Sequence, residues 1–306
     1  TGSDAITVTQ GAMPYDGTIT NPPLPPVAFT DIENVAVTAT GATDTLTIEG
    51  TDVNERIAID VGDAWGEGAA QVDSGFTTTF TGAEQVDVVA NAALFDNLTI
   101  NGRDAADRFS LSTGGLGTEV WARTNESVPQ PLLYITFGTD VEDLLLETLG
   151  GDDIVDIDAE GIAVSGLLTV TASGDGPSGS DHLNFMRYAS GDDQVIVELD
   201  ADLTGDLVQE ISHAGIVAPV RLLGMETAFI DVESGDLYVA GTRADDVITY
   251  TPLSSDSGMF SAENVPTVFA FEDVPEGSSE FVITGGGTGT GGPPSGGTAD
   301  KVIGEA

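Results

Sequence analysis

The sequence predicts an all-β fold, and three observations support this prediction. Apolar residues alternate with polar ones over short runs, as in Leu46 and Ile48 or Ile57 and Ile59. A period of two is typical of strands with one buried face. Gly, Asp, Asn and Ser recur about every 11 residues between these runs, where they favour turns. Thr, Val and Ile dominate the runs, which again favours strands, and no sustained 3.6-residue apolar period indicates helix.

Two architectures are compatible with short strands at regular spacing. One is a repetitive parallel β-solenoid, and the alternative is a series of tandem β-sandwich repeats. Short turns that reuse the same Gly-Asp phrase favour the solenoid, because stacked coils repeat the same corner. A repeat of about 50 residues is long for one coil, so we expect one wide coil with loops or two narrower coils.

The repeat has a glutamate anchor, which follows an aromatic or apolar residue and precedes alternating apolar positions. The anchors stand in FTDIENVAV, FTGAEQVDV, FGTDVEDLLL, LLGMETAFI and VFAFEDV, and they are Glu33, Glu84, Glu142, Glu226 and Glu272. The steps between them are 51, 58, 84 and 46 residues. The long step contains an extra segment, LLTVTASGDGPSGSDHLNF, at 167–185.

The two ends of the chain carry the same phrase, SDAITV near the start and TADKVIGEA at the end. GTRADDVITY repeats this phrase in the interior. We therefore expect a window onto a longer repetitive array. The predicted organisation is a β-repeat array over 1–284, a Gly-rich linker or long turn over 285–298, and a terminal strand over 299–306.

Charge is the extreme feature of the composition. Eight basic and 51 acidic residues give a formal net charge of −43. A nucleic-acid interface needs a basic face, which so few scattered basic residues cannot build. No apolar run approaches the ~18 residues of a membrane span. We therefore predict that the chain neither binds nucleic acid nor inserts directly into a membrane. Clustered carboxylates about 5 Å apart repel by ~3 kcal/mol at an effective dielectric of ~20, which favours bound divalent cations or high salt.

The segment GDGPSGSDHLNF at 174–185 resembles the haemolysin-type (RTX) calcium repeat, and GGDDIVDID and SGDDQVIV are shorter partial matches. Calcium takes six to eight oxygen ligands, which Gly-Asp corners from neighbouring coils can supply. Turn capping by the same aspartates is the alternative. The candidate calcium ligands are Asp152, Asp153, Asp156, Asp158, Asp175, Asp181, Asp192, Asp193, Asp245 and Asp246.

Catalysis has little support in the sequence. There is no cysteine, and His182 and His213 stand in unrelated contexts. We therefore predict that the chain is not an enzyme. Trp65, Trp121, Tyr134 and Tyr238 are candidates for a sugar-stacking platform, with strand-end packing as the alternative.

Over nearly its whole length the phrase order resembles repeats of very large secreted bacterial β-solenoid surface proteins. That resemblance implies an extracellular, cell-surface role as a building block of a surface layer, filament or adhesin, stabilised by calcium. We expect copies to associate head to tail, or the chain to continue into further repeats. The alternative is a polysaccharide-binding or polysaccharide-degrading β-helix protein.

Overall fold

The computed structural model describes residues 3–40, 43–51, 53–90, 95–114, 117–124, 133–174, 180–186, 194–199, 209–213, 218–233, 235–242, 247–263, 265–274, 281–284 and 301–304. The prediction of an all-β fold is confirmed, since the strands form two long, mostly parallel sheets. We name the 15-stranded sheet A and the 12-stranded sheet B. Both sheets run through all the repeats, so the repeats are not separate sandwich domains.

Most of the described strands form five-strand units, which we number 1 to 5 in chain order. Unit 1 contains β1 (Ala5–Gln10), β2 (Gly17–Thr20), β3 (Val27–Phe29), β4 (Asn34–Thr38) and β5 (Thr45–Glu49). Unit 2 contains β6 (Arg56–Val61), β7 (Gly68–Val72), β8 (Thr77–Thr81), β9 (Gln85–Val89) and β10 (Asn97–Asn101). Unit 3 contains β11 (Asp107–Gly114), β12 (Gly117–Thr124), β13 (Leu133–Phe137), β14 (Asp143–Glu147) and β15 (Ile154–Asp158).

An insertion separates units 3 and 4, and it consists of α1 (Ala159–Ser165), β16 (Thr169–Ser173) and β17 (His182–Met186). Unit 4 contains β18 (Gln194–Glu198), β19 (Gln209–His213), β20 (Val220–Leu223), β21 (Thr227–Asp231) and β22 (Asp236–Ala240). Unit 5 contains β23 (Val247–Pro252), β24 (Gly258–Ala262), β25 (Val268–Glu272), β26 (Phe281–Thr284) and β27 (Lys301–Gly304). The extra segment that the sequence places at 167–185 contains β16 and β17, which lie in different sheets.

Every unit follows the same path between the sheets. The first three strands form an antiparallel meander in one sheet, such as β1–β2–β3 in sheet A. The fourth strand crosses to the other sheet, and the fifth returns to pair in parallel with the first, as β5 does with β1. The meander of the next unit then forms in the opposite sheet, as β6–β7–β8 does in sheet B. The repeat of about 50 residues is therefore a five-strand unit whose sheets exchange roles at each step.

Neighbouring units join by two kinds of parallel pair. The third strand of a unit pairs with the fourth strand of the unit before, as β8 does with β4 and β25 with β21. The fifth strand pairs with the fourth strand of the unit after, as β5 does with β9 and β22 with β26. Between units 3 and 4, β16 and β17 are inserted into these two pairings.

The inward side chains of both sheets form one apolar core. Strand after strand shows alternating burial, as in β5, where Leu46 and Ile48 are buried between partly exposed neighbours. In units 1 and 2 a phenylalanine of the third strand packs over a glycine of the second strand. A Cβ at Gly17 would lie 2.6 Å from the Phe29 ring, and a Cβ at Gly68 would lie 2.5 Å from the Phe80 ring. This contact explains the aromatic residue that precedes the glutamate anchor.

The single helix among the described residues, α1, is short and locally capped. Asp158 accepts a hydrogen bond from the Glu160 N–H at its start, and Gly166 ends it with φ of 83°, a left-handed conformation that glycine adopts without steric cost. Within the described ranges, no helix has the length and apolar character needed to cross a membrane.

Candidate functional site: buried carboxylate ladders

Carboxylates recur at one position of the strand starts, two residues before the first inward-facing apolar side chain. Because neighbouring parallel strands are in register, these residues are stacked one above another across the sheet. They form three rows, which we call the carboxylate ladders: Asp4, Asp44 and Glu84; Glu55, Asp96 and Glu142; and Asp107, Asp153, Asp181 and Glu226.

Within each ladder, every carboxylate after the first accepts a hydrogen bond from the backbone N–H of the ladder residue in the preceding strand. The donor–acceptor distances are 2.7 Å for Asp4 to Asp44, 2.5 Å for Asp44 to Glu84, 2.8 Å for Glu55 to Asp96, 2.8 Å for Asp96 to Glu142, 2.6 Å for Asp107 to Asp153, 3.1 Å for Asp153 to Asp181 and 2.7 Å for Asp181 to Glu226. The ladders thus supply acceptors to N–H groups at corners where the sheet pairing has not yet begun, which satisfies groups that would otherwise be buried without a partner.

Glycines leave the space that these carboxylates occupy. The Glu55 carboxyl group lies against Gly50 and accepts from the Thr51 N–H and hydroxyl. A Cβ at Gly102 would lie 2.7 Å from Oδ2 of Asp107. Gly174 stands in the same relation to Asp181. Gly50 begins the phrase GTDVNE, and Gly102 begins the phrase GRDAAD. Glycine recurs at this position because a buried carboxylate fills the space that a Cβ would occupy.

Five of the ladder carboxylates are almost completely buried. Asp153 is 0% exposed, and Asp44, Glu55, Asp96 and Asp181 are each 1% exposed. The second carboxyl oxygen of each of these five residues has no hydrogen-bond partner among the described residues. A buried, ionised oxygen without a donor is costly, and this cost opposes the ionisation of Glu55, Asp96, Asp153 and Asp181.

Burial raises the pKa of the carboxyl groups of Glu55, Asp96, Asp107, Asp153 and Asp181 above their usual values. The pKa of Asp153 reaches about 6, because burial outweighs the hydrogen bonds it accepts and the neighbouring Asp181 and Asp107 oppose its ionisation. Chemically, these five groups can hold a proton at a higher pH than a free carboxylic acid does, and the ladders fix strand register.

One basic residue offsets a ladder charge directly. Arg103 donates to Oδ1 of Asp107 from Nη2 at 2.8 Å and from Nε at 3.1 Å, and its Nη1 reaches Asp63 at 3.2 Å. This ion pair lowers the pKa of Asp107, although burial keeps the net shift upward.

The glutamate anchors of the sequence take different places. Glu84, Glu142 and Glu226 are ladder acceptors. Glu33 stands at the same position before β4 and is exposed. Glu272 lies at the end of β25 beside Asp231 of β21, so Thr267 is the residue that corresponds to Glu226 in register.

The candidate calcium ligands within the described residues all contact protein donors. Asp153 and Asp181 belong to a ladder, and Asp152 accepts from the Ser180 N–H at 3.1 Å. Asp156 accepts from Arg108 at 2.5 Å, and Asp158 caps α1. Asp175, Asp192, Asp193, Asp245 and Asp246 lie outside the described residues, as do 285–298 and the residues of 299–306 that flank β27.

A separate acidic group comes together on the surface. Asp231, Glu272 and Asp273 have carboxylate oxygens within 4.8 Å of one another, and they form the one such group of three among the residues described. Burial, followed by repulsion from Asp273, Asp231 and Asp256, raises the pKa of Glu272. This group was not predicted from the sequence, because its members come from strands that are 41 residues apart in the chain and become neighbours through the β21–β25 pairing.

The other candidates for chemistry are dispersed. In sheet A, Nδ1 of His182 lies 2.6 Å from Oγ1 of Thr227, and Nε2 of His182 lies 2.6 Å from Oδ1 of Asn184. Trp65 is exposed in the turn between β6 and β7, whereas Tyr134 lies in sheet A and Tyr238 in sheet B. These three aromatic residues do not form one row. The side chain of Trp121 lies outside the described part.

Comparisons with protein-family models, with curated proteins and with solved structures find no match to this chain.

The ladders themselves were not predicted from the sequence. Their signal is present, since a carboxylate two residues before an apolar alternation recurs in SDAI, TDTL, NERI, FDNL and ADRF. Such carboxylates normally stay solvated, so only the burial of the strand starts shows that they are acceptors.

Proposed function

We propose that this chain is a parallel β-solenoid that serves as a structural building block of an extracellular surface layer, filament or adhesin. The observation that carries the proposal is the recurrence of one joint: the same two strand pairings connect units 1 and 2, units 2 and 3, and units 4 and 5. Between units 3 and 4 the two pairings each include one inserted strand, and neither sheet closes on itself within the described residues. A repeat joined in this way can be extended without changing its geometry.

The charge supports this role. A net charge of −43 keeps the sides of such particles apart by repulsion. The outer edges of the end strands have no partner among the described residues, so backbone pairing is available there. The five most deeply buried carboxylates among the described residues stand just before strands, where each of them accepts a backbone N–H group. This placement suits a structural protein better than an enzyme.

The test is electron microscopy of the native material, combined with antibody labelling of intact source cells. We expect label on the outer surface, associated with a layer, fibrils or stalks. Label confined to the cell interior, or discrete particles that cleave or retain polysaccharide, would favour the alternative of a polysaccharide-active protein.

A further inference from the structure

Both sheets end in strands whose outer edges have no partner among the described residues. On one side these are β3 in sheet A and β4 in sheet B, and on the other β27 in sheet A and β26 in sheet B. In units 2 to 5 the third strand pairs in parallel with a preceding strand. The corresponding edge of β3 is open.

Apolar side chains at these edges are more exposed than their counterparts inside. Val27 of β3 is 60% exposed, although the residues at its position in the other units are at most 2% exposed; these are Thr78, Ile135, Val220 and Phe269. At the other end, Phe281 and Ile283 are partly buried, whereas their neighbours Leu237 and Val239 on β22 are 0% exposed. Each end therefore exposes residues of a type that every internal joint buries.

We propose that the two ends are complementary and that a second copy of this chain joins them: β26 of one copy pairs in parallel with β3 of the next, and β27 pairs in parallel with β4. This inference rests on the proposed structural function and specifies its partner. The pairings are those of an internal joint, in which a fourth strand meets the following third strand and a fifth strand meets the following fourth.

The joint also determines how the sheets continue. Because β26 lies in sheet B and β3 in sheet A, sheet B of one copy continues as sheet A of the next. This exchange matches the alternation between successive units. A simple end-to-end stack, with sheet A on sheet A, does not reproduce any internal joint.

The register follows from the internal pairs. Phe80 lies beside Val37, and Phe137 beside Val88. Phe29 corresponds to these phenylalanines, and Ile283 corresponds to Val88, since Ile283 pairs with β22 as Val88 pairs with β5. Phe29 therefore faces Ile283, and the outward-facing Ala28 faces Val282.

Glu33 has a role in this joint. It stands before β4 at the ladder position, and in units 2 and 3 the corresponding Glu84 and Glu142 accept an N–H from the residue that precedes a fifth strand. In the proposed joint, β4 lies beside β27 of the neighbouring copy, so Glu33 stands at the position from which Glu84 and Glu142 accept in the internal joints.

The chain has no cysteine, so any disulfide between copies must form between introduced cysteines. Adjacent strands are about 4.8 Å apart, which is within the Cα separation of disulfides. We expect the double variant A28C/V282C to form covalent oligomers on mild oxidation, and the single variants to give no such series. The double variant A36C/V282C, in which both positions lie in sheet B, tests the stack without sheet exchange and should give none.

A second measurement uses two valines of similar exposure. Val27→Asp places a charge in the joint, whereas Val53→Asp changes a residue that is 58% exposed in the turn after β5. At raised salt we expect V27D to weaken association at least tenfold by sedimentation, with V53D close to the native chain and both variants showing unchanged circular dichroism. Cross-linking of A36C/V282C in place of A28C/V282C, or equal association of V27D and V53D, overturns the joint. Filaments that form without the A28C/V282C link would leave the structural function standing and refute this geometry.

Discussion

The backbone N–H of Asp107 donates a 2.6 Å hydrogen bond to Oδ1 of Asp153, 46 residues later in the chain. The bond joins the starts of β11 and β15, which are parallel neighbours in sheet A. The backbone N–H of Asp153 in turn donates to Oδ1 of Asp181, so one buried residue connects three strands through its carboxylate and its N–H. A structural role and a titratable group are thus combined in one side chain.

Stability should fall as the pH rises from about 4 to about 6. The pKa of Asp153 is raised from 3.8 to about 6 in the folded state. The folded chain therefore holds this proton more tightly than the unfolded chain, and the contribution to stability is complete below pH 3.8 and lost as the pH rises through 6. At ~1.4 kcal/mol per pKa unit, Asp153 should account for roughly 2–3 kcal/mol. Denaturant unfolding across this window at constant ionic strength measures it.

The matched variants are Asp153→Asn and Asp104→Asn. D153N keeps an acceptor oxygen for the Asp107 N–H and removes the titration, so its pH dependence should be shallower. Asp104 is exposed, and D104N should behave as the native chain does. Parallel pH profiles for all three proteins would show that the dependence arises elsewhere.

Arg103→Met should destabilise the fold more at pH 7 than at pH 4. The substitution leaves the Asp107 carboxylate, whose side chain is 3% exposed, without its ion-pair partner. We expect a loss of about 2–3 kcal/mol at pH 7, which shrinks at pH 4 because the pKa of Asp107 is raised and the group takes up a proton. Arg56→Met, at an exposed position on β6, is the control. A loss that is independent of pH would mean that Arg103 acts through packing alone.

Gly224→Ala should be strongly destabilising, and Gly138→Ala nearly neutral. Gly224 has φ of 66°, and a Cβ there would collide with the backbone carbonyl oxygen of Gly174. Backbone atoms cannot move aside cheaply, so we expect a cost of about 3 kcal/mol or more. At Gly138 the nearest atom to a Cβ is Oδ2 of Asp140 at 3.8 Å, so a change within ~1 kcal/mol is expected. Thermal unfolding of both variants decides this prediction, and equal midpoints would contradict it.

Calcium should raise the unfolding midpoint beyond the effect of sodium at matched ionic strength. Asp231, Glu272 and Asp273 repel one another when no cation is bound, and a ligand that binds only the folded state contributes about 2.7 kcal/mol at a hundredfold excess over Kd. If calcium binds at this group, Asp273→Asn should remove the calcium-dependent rise of the unfolding midpoint. If calcium binds at the GGDD corner, Asp152→Asn should remove it. If sodium reproduces the whole gain, screening explains it and calcium is not bound.

Much of the local structure could be predicted from the sequence. The alternation of Leu46 with Ile48 places one strand face in the core, and the FTGAE phrase marks the start of a fourth strand in the next sheet. The step of 84 residues between Glu142 and Glu226 predicts an additional segment, which is β16 and β17. These features depend on neighbours within a few residues, so the sequence expresses them directly.

The sequence by itself determined which segments form strands, which strand faces are apolar, and where an additional segment is inserted into the repeat. Only the tertiary structure decided that three strands of each unit form an antiparallel meander, that successive units exchange sheets, and that Asp153 accepts from Asp107. Parallel and antiparallel pairs use the same alternating side chains, so the alternation does not identify a strand's partner. A buried carboxylate and a solvated one have the same letter in the sequence, and only the packing of a distant strand against it removes its water.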